Sequence, residues 1–292
     1  FTVTASDGTA SSAAATVTMT LTAVNDAPVA AASTLTTIAE DVADGSNPGT
    51  LVSALVTNFT DADSGAVKGI AVTAVDATNG TWQYTINAGS TWATLTGVST
   101  TAARLLKGDD ANYKVRFVPN ANYNGTATLT YQAWDQTSGT AGATADVTTN
   151  GLSTAFSSNT ETATITVAAV NDAPVAAAST LPTIAEDVAD GSNTGTLVSA
   201  LVTNFTDADS GAVKGLAVTS VVTTNGTWYY STNAGSTWTT LTGVSTSAAR
   251  LLKGDDANYK VRFVPNANYN GTATLTYQAW DQTSGTAGAT AD

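Results

Sequence analysis

Apolar and polar residues alternate along much of this chain with a period of two. In ATVTMTLTAV (15–24), Val17, Met19 and Leu21 fall on one side and Thr16, Thr18, Thr20 and Thr22 on the other. TATITVAAV (162–170) repeats the pattern with Ala163, Ile165 and Val167. Such alternation marks strands with one buried face. On this basis strands are predicted at 29–35, 50–59, 68–75, 81–86, 91–95, 114–118, 126–134 and 162–167. Turn residues separate them: Asn79-Gly80, Asn87-Ala88-Gly89-Ser90, Lys107-Gly108-Asp109-Asp110 and Asn122-Tyr123-Asn124-Gly125. Short strands at this spacing predict a β-sandwich. No stretch shows the 3.6-residue period of an Ala-rich helix. Residues 137–159 are small and polar, and are expected to form a long β-hairpin or a mobile loop.

The pattern is duplicated. VNDAPVAAASTL begins at Val24 and again at Val170, an offset of 146 residues. FTDADSGAVKG at Phe59 and Phe205 keeps that offset, as does the long stretch beginning at Leu105 and Leu251. Repetition at a fixed period signals tandem units. Asn171-Asp172-Ala173-Pro174 follows a strand-like run, and its Pro ends pairing and stiffens the joint. Residues 1–24 are therefore expected to be the last strands of a preceding domain. Residues 25–170 read as one complete domain, and 171–292 as a second domain lacking its final strand. With no initiator Met, the chain is expected to be a piece of something longer.

Composition narrows the chemistry. The 292 residues carry 23 acids and 10 bases, a net charge of −13. That excess disfavours nucleic acid and anionic membranes, both of which recruit Lys and Arg. No apolar run is long enough for a membrane span. There is no Cys and no His. A disulfide framework, thiolate metal sites and His- or Cys-based catalysis are excluded. A resident metal would be bound by oxygen, and Ca²⁺ is the first candidate.

Four acidic features recur in each repeat: Asn25-Asp26 at the joint, Glu40-Asp41, Asp61-Ala62-Asp63-Ser64-Gly65, and Asp135. In a Greek-key sandwich, the loops carrying Asp61, Asp63 and Asp135 lie at the pole where the chain enters, beside Asn25 and Asp26. Glu40 then lies at the opposite pole, beside Asn171 and Asp172 and, beyond the joint, Asp207, Asp209 and Asp281. Such a carboxylate cluster repels itself unless a cation sits in it. Each acid singly is also an ordinary turn former.

IAEDVADGSNPGTLVSALVTNFTDADSG, YQAWDQTSG and VNDAP, in this order, resemble the cadherin repeat. The resemblance is closer still to the cadherin-like and VCBS-type tandem repeats of large RTX-type bacterial surface adhesins, and it covers the whole chain. It implies an all-β protein of tandem Ig/cadherin-like Greek-key β-sandwiches in a linear rod. Glu40 and Glu186 match the family's first-loop Glu. Asp61, Asp63, Asp207 and Asp209 match its Asp-x-Asp, and Asp7, Asp135 and Asp281 its Ala-x-Asp. Asn25, Asp26, Asn171 and Asp172 match its linker. These residues are implied as Ca²⁺ ligands. Two departures reduce the implied count to one or two ions per joint. Ala23 and Ala169 stand where the linker's leading acid belongs, and Asn120-Ala121-Asn122-Tyr123-Asn124 replaces an acid pair.

Aromatic residues form the other candidate site. Trp82, Tyr84 and Trp92, with Trp228, Tyr229 and Trp238 in the second repeat, could stack on sugars if exposed, or fill the core. Tyr229 stands where the first repeat has Gln83, and is expected to be the most exposed. An enzyme is not expected: no His activates a Ser or Thr, and the acids lie in short loops rather than a cleft. The sequence thus leads to an extracellular, bacterial cell-surface extender rigidified by Ca²⁺. Its partners are expected to be neighbouring repeats or identical subunits head to tail, and cell-surface glycans or other cells. A head-to-tail filament and a carbohydrate-binding repeat are the alternatives.

Overall fold

A computed structural model describes residues 1–292, which divide into two compact units, Phe1–Val170 and Asn171–Asp292. Strand dominates both. The first unit contains, in order, β1 (Thr2–Val3), β2 (Ala15–Thr16), β3 (Ser33–Thr34), β4 (Ile38–Ala39), β5 (Thr50–Leu51), α1 (Val52–Leu55), β6 (Gly69–Val75) and β7 (Gly80–Thr85). There follow β8 (Ala93–Thr94), β9 (Ala103–Lys107), β10 (Lys114–Pro119), β11 (Gly125–Trp134), β12 (Thr144–Ala145) and β13 (Phe156–Ala168). One sheet has the order β5-β10-β7-β8. The larger runs β12-β9-β6-β11-β13-β3, with β4 also on β13. Neighbours are antiparallel, except that β3 and β4 lie parallel to β13.

The inward faces of the two sheets close over one core. Trp82 and Phe117 of the smaller sheet stack at 5.3 Å, and Phe59 meets Tyr131 of the larger sheet at 5.7 Å. Ile70, Val72, Leu106, Leu129 and Val115 complete it. The alternation of β11 puts Ala127, Leu129, Tyr131 and Ala133 inward, each fully buried. This is the two-layer sandwich that the period-two pattern calls for.

Several boundaries differ from the sequence expectation. Segment 50–59 pairs only at Thr50–Leu51 and then turns into α1. Val52, Leu55, Val56 and Phe59 are all buried at i, i+3, i+4 and i+7, a helical period within an apolar run. Segment 29–35 forms only β3 and an isolated bridge between Val29 and Thr60, because its Ala run offers a pleated sheet little to pack. Strand β9 was not anticipated. Its Leu106 points into the main core and its Leu105 into a second cluster on the other face of the sheet, so no alternation shows. That second cluster also explains 137–159. Val147, Ala155 and Phe156 pack on Trp134, Ala71 and Ala103, and β12 pairs with β9, so the segment is fastened across the sheet rather than free.

The second unit repeats the plan with β14 (Thr196–Leu197), α2 (Val198–Leu201), β15 (Gly215–Val221), β16 (Gly226–Ser231), β17 (Thr239–Thr240), β18 (Ala249–Lys253), β19 (Lys260–Pro265), β20 (Leu275–Trp280) and β21 (Thr290–Ala291). Its sheets are β14-β19-β16-β17 and β20-β15-β18-β21. Residues 171–292 hold no counterpart of β13, and β3 and β4 have no counterpart either.

Residues 1–24 form a hairpin whose register fixes their relationship to the repeats. Thr2 pairs with Thr16 in β1–β2, as Thr130 pairs with Thr162 in β11–β13. Thr16 is the 146-residue counterpart of Thr162, so the hairpin is a β11–β13 pair with a shorter connection.

Candidate functional site

The acids gather at the two ends of β13, which its thirteen residues separate by about 40 Å. At one end the paired bridge Val29–Thr60 holds the incoming chain against the loop after α1. Val29 N donates to Thr60 O at 2.8 Å, and Thr60 N to Val29 O at 3.2 Å. This places Asn25 and Asp26 beside the Asp61–Asp63 turn. Asp63 N donates to Asp61 Oδ1 at 2.9 Å, and Asp26 N donates to Asp63 Oδ2 at 2.7 Å. Asn25 Nδ2 donates to Asp135 Oδ2 at 2.8 Å and to Thr154 O at 3.1 Å. Asp135, buried at the end of β11, also accepts from Thr137 N and Thr137 Oγ1 through Oδ1. Gln136, at a left-handed φ of 67°, makes the turn that points Asp135 into the cluster.

Asn25, Asp26, Asp61, Asp63 and Asp135 are thus brought together. Neither ion pair of the chain, Arg116–Asp44 at 3.5 Å and Arg262–Asp190 at 3.6 Å, involves any of them. Lys68, the base next along the chain, gives its Nζ to Phe59 O instead. Asp61 Oδ2 is sheltered from solvent and accepts no hydrogen bond. A buried carboxylate oxygen without a donor is costly, and a hard cation is one way to satisfy it.

The second unit repeats the arrangement. Asn171 Nδ2 donates to Asp281 Oδ2 at 2.8 Å, Asp172 N to Asp209 Oδ2 at 2.8 Å, and Asp209 N to Asp207 Oδ1 at 2.9 Å. Asp207 Oδ2, like Asp61 Oδ2, accepts no hydrogen bond. Burial pushes the Asp281 carboxyl up, but hydrogen bonds from Asn171 and Thr283 outweigh it and leave it below the ordinary carboxylate value.

Glu40 lies at the other end of β13, next to β4. Its Oε1 accepts from Val170 N at 2.6 Å and its Oε2 from Asn124 Nδ2 at 3.0 Å. These bonds, the Val170 amide first, hold its carboxyl below the usual value. Sequence reasoning missed Asn124 as a partner of Glu40, treating 120–124 as a turn and as a departure from the family pattern. Its place in a tight Asn-Gly turn aimed at the first loop was the available signal. Asn270 holds Glu186 in the same way, at 3.4 Å. Asp7 is not drawn into any cluster. It is exposed, and its Oδ1 caps its own turn by accepting from Thr9 N and Ala10 N.

Each aromatic candidate is either buried in the core or partly buried with an arginine over its ring. Trp82 and Trp228, at 1% and 2% exposure, are core residues, a correction to their candidacy as ligand platforms. Their strands turn every second side chain inward. Arg116 covers Trp92 at 4.3 Å and Arg104 covers Tyr84 at 5.0 Å. In the second unit Arg262 stacks over Trp238 at 4.3 Å and over Tyr229 at 5.4 Å. Tyr229 is half-buried, not the exposed ring the sequence suggested.

No protein-family model matches the chain, and no curated protein matches it. Among solved structures it is similar to protocadherin gammaB7 EC3-6, determined as a cis-dimer, at 20% identity and a TM-score of 0.41. The similarity covers 92% of this chain and 54% of that one, so the chain spans about half its length.

Proposed function

We propose that the chain is an extender segment of a large extracellular adhesion protein of the bacterial cell surface, made rigid by Ca²⁺ at the joints between its repeats. The observation that carries this reading is the pole of unit 1. There five oxygen-bearing side chains meet without a basic partner, and Asp61 Oδ2 is left without a donor. The donor set is all oxygen and the chain has neither Cys nor His, which suits Ca²⁺ rather than a softer metal. Asn25, Asp26, Asp61, Asp63 and Asp135 would hold it, as would Asn171, Asp172, Asp207, Asp209 and Asp281. Glu40 stands at the far pole of the first repeat, where the linker to the second begins, and Glu186 holds the equivalent position in the second repeat. Bound calcium would neutralise the carboxylates and tie loop, linker and strand end together. The protein's own hydrogen bonds orient those groups beforehand: Asn25 fixes Asp135, and the Asp26 amide fixes Asp63.

The resemblance of the sequence to adhesin repeats supports the surface location, and the acidic balance and absence of Cys are compatible with it. No helix is long and apolar enough to cross a membrane. Thermal unfolding and small-angle scattering, each with calcium and with excess EGTA, test the proposal. We expect EGTA to lower the melting temperature and broaden the distribution of particle lengths. If neither changes, the acids are turn residues and the calcium reading fails.

A further inference from the structure

Asn-Gly is the dipeptide in which a main chain most readily attacks its own side chain. The glycine amide nitrogen gives up its proton and bonds to the asparagine carboxamide carbon. Ammonia leaves, and a five-membered succinimide is closed. Water then opens the ring, giving aspartate or isoaspartate. The step needs no catalyst, cofactor or oxidant. It does need an asparagine side chain free to swing and a glycine N–H free of hydrogen bonds. Unit 1 holds three Asn-Gly pairs, Asn79-Gly80, Asn124-Gly125 and Asn150-Gly151, and the fold treats them differently.

Two of them are locked. Asn150 Nδ2 donates to Val147 O at 3.1 Å, and Gly151 N donates to Phe156 O at 2.8 Å. Asn124 Nδ2 donates to Glu40 Oε2 at 3.0 Å, and Gly125 lies opposite Val167 on β13. Thr128 O accepts from Asp76 N and Thr164 O from Leu35 N, so the Thr128–Thr164 pair spends its bonds on outer neighbours. Gly125–Val167 lies an odd number of positions further along, and is therefore a pair that exchanges its own bonds.

Asn79 is open on both counts. It sits half-buried in the turn between β6 and β7. The side-chain bonds of that turn run from Thr78 N to Asp76 Oδ1 and from Trp82 Nε1 to Asp76 O, and neither involves the Asn79 carboxamide. Asn120 N donates to Asn79 O at 2.9 Å, which makes Asn79–Asn120 a bonded pair. Gly80–Pro119, the next pair of β7 on β10, is then non-bonded, and the Gly80 N–H turns away from β10. On that other side β8 meets β7 only at Gln83 and Tyr84, so the Gly80 N–H finds no acceptor. Glycine is also required here, because a β-carbon would run into the Phe117 ring and Val118 O. The packing that demands glycine leaves its nitrogen unshielded by a side chain.

We propose that Asn79 is a site of spontaneous deamidation, and that its isoaspartyl product loosens the 120–124 turn. In isoaspartate the main chain runs through the former side-chain carbon, and the carbonyl that Asn120 uses becomes a free carboxylate. That carbonyl starts a relay. Asn79 O holds Asn120 N, Asn120 O holds Tyr123 N at 3.1 Å, and Asn124 then reaches Glu40. The second repeat has the same relay, with Asn266 N donating to Asn225 O at 2.9 Å. There Gly226 N meets Thr223 O at 3.5 Å, the long limit of a hydrogen bond, so Asn225 should react too, but more slowly.

The test is to incubate the full chain in warm, mildly alkaline buffer with EGTA and follow it by peptide mass spectrometry. Tryptic cleavage after Lys68 and Arg104 releases 69–104, which differs in sequence from its counterpart 215–250. Fragmentation separates Asn79 from Asn87 within it. We expect the amide-to-acid mass gain to build up at least about tenfold faster at Asn79 than at Asn124 or Asn150, whose glycine amides must first open from a hydrogen bond. Asn79→Gln, which cannot close the five-membered ring, should remove the gain at that position and keep the melting temperature. Isoaspartyl chains, separated from aspartyl ones by chromatography, should melt below fresh protein. Asn79→Asp, with its main chain intact, should melt with fresh protein. The proposal is overturned if Asn79 gains mass no faster than Asn150, or if the isoaspartyl chain and Asn79→Asp melt alike. Calcium takes no part in either measurement, so failure here is separate from failure of the calcium reading.

Discussion

Asp61 uses one oxygen to close the turn on the Asp63 amide and leaves the other sheltered without a donor. Asp61→Asn keeps an oxygen for the turn and removes the charge that a cation would need. We expect the variant to melt near wild type in EGTA and to lose most of the rise on adding calcium. At about 100 times Kd that rise corresponds to roughly 2.7 kcal/mol. Paired melts measure both quantities. A second residue-scale test concerns protons. Glu40, Asp76 and Asp146 are held below their ordinary values of 4.5 and 3.8 by hydrogen bonds, from Val170 and Asn124, from Thr78, and from Thr148 respectively. A carboxyl depressed in the fold stabilises it fully above the ordinary value, and that stability is lost as pH falls through the folded value. Calcium-free melts should therefore be flat above about pH 5 and fall steadily below it. Glu40→Gln should flatten part of that slope. An unchanged slope would mean that the Glu40 bonds do not persist in solution. Trp82, by contrast, is a packing residue. Trp82→Ala should cost about 3–5 kcal/mol in urea unfolding, whereas Trp92→Ala loses a half-buried ring and its Arg116 stack, and should cost clearly less.

Among the elements, β7, β10 and the first half of β11 show their alternation because one side of each is polar or only partly covered. β6 is covered on both faces, and was legible from its β-branched run between turn residues. The misreadings come from segments covered on both sides or too short to show a period. β9 is apolar on both faces because Leu105 and Leu106 serve two different clusters. α1 is a single turn, and the four inward residues of 52–59 look, in a window of ten, like a strand. The acid cluster was legible because turn positions in a sandwich follow from strand order. Asn124 and the Val170 amide were not, because they reach Glu40 across loops whose paths the strands alone do not set. Gly49 shows a similar limit. Its φ of 71° and the closeness of Trp92 to its α-carbon leave no room for a side chain, yet the sequence presents it as one more turn glycine. The second cluster gives the element-scale prediction. Val147 joins the 137–159 segment to Trp134 and Leu105. Val147→Asp would bury an unpaired charge there and should destabilise unit 1 by several kcal/mol, more than a free loop could account for. An effect within about 0.5 kcal/mol, as for a surface position, would show that the segment is not fastened.

At the scale of the molecule, near-identical sequence occurs once with its last strand and once without, an internal control on what that strand contributes. Sequence cannot explain the difference between Gly125–Trp134 and Gly271–Trp280, because the ten residues are the same. The difference lies in what covers them. Strand β13 supplies β11 with hydrogen-bond partners along one edge, brings β3 and β4 into the sheet, and seals the core over Leu129 and Tyr131. Amide exchange should accordingly be faster over 271–280 than over 125–134, since protection follows the free energy of local opening. Peptide-resolved hydrogen exchange can compare the two, even though the sequences repeat, because the peptides differ where they extend back to Thr101 or Ser247, or beyond 146. Appending residues 147–170 after Asp292 restores the missing strand at its proper offset. The extended chain should show equal protection in the two copies and a single, higher unfolding transition. If exchange over 271–280 stays fast after the extension, the open edge of β20 is not the cause of its exposure.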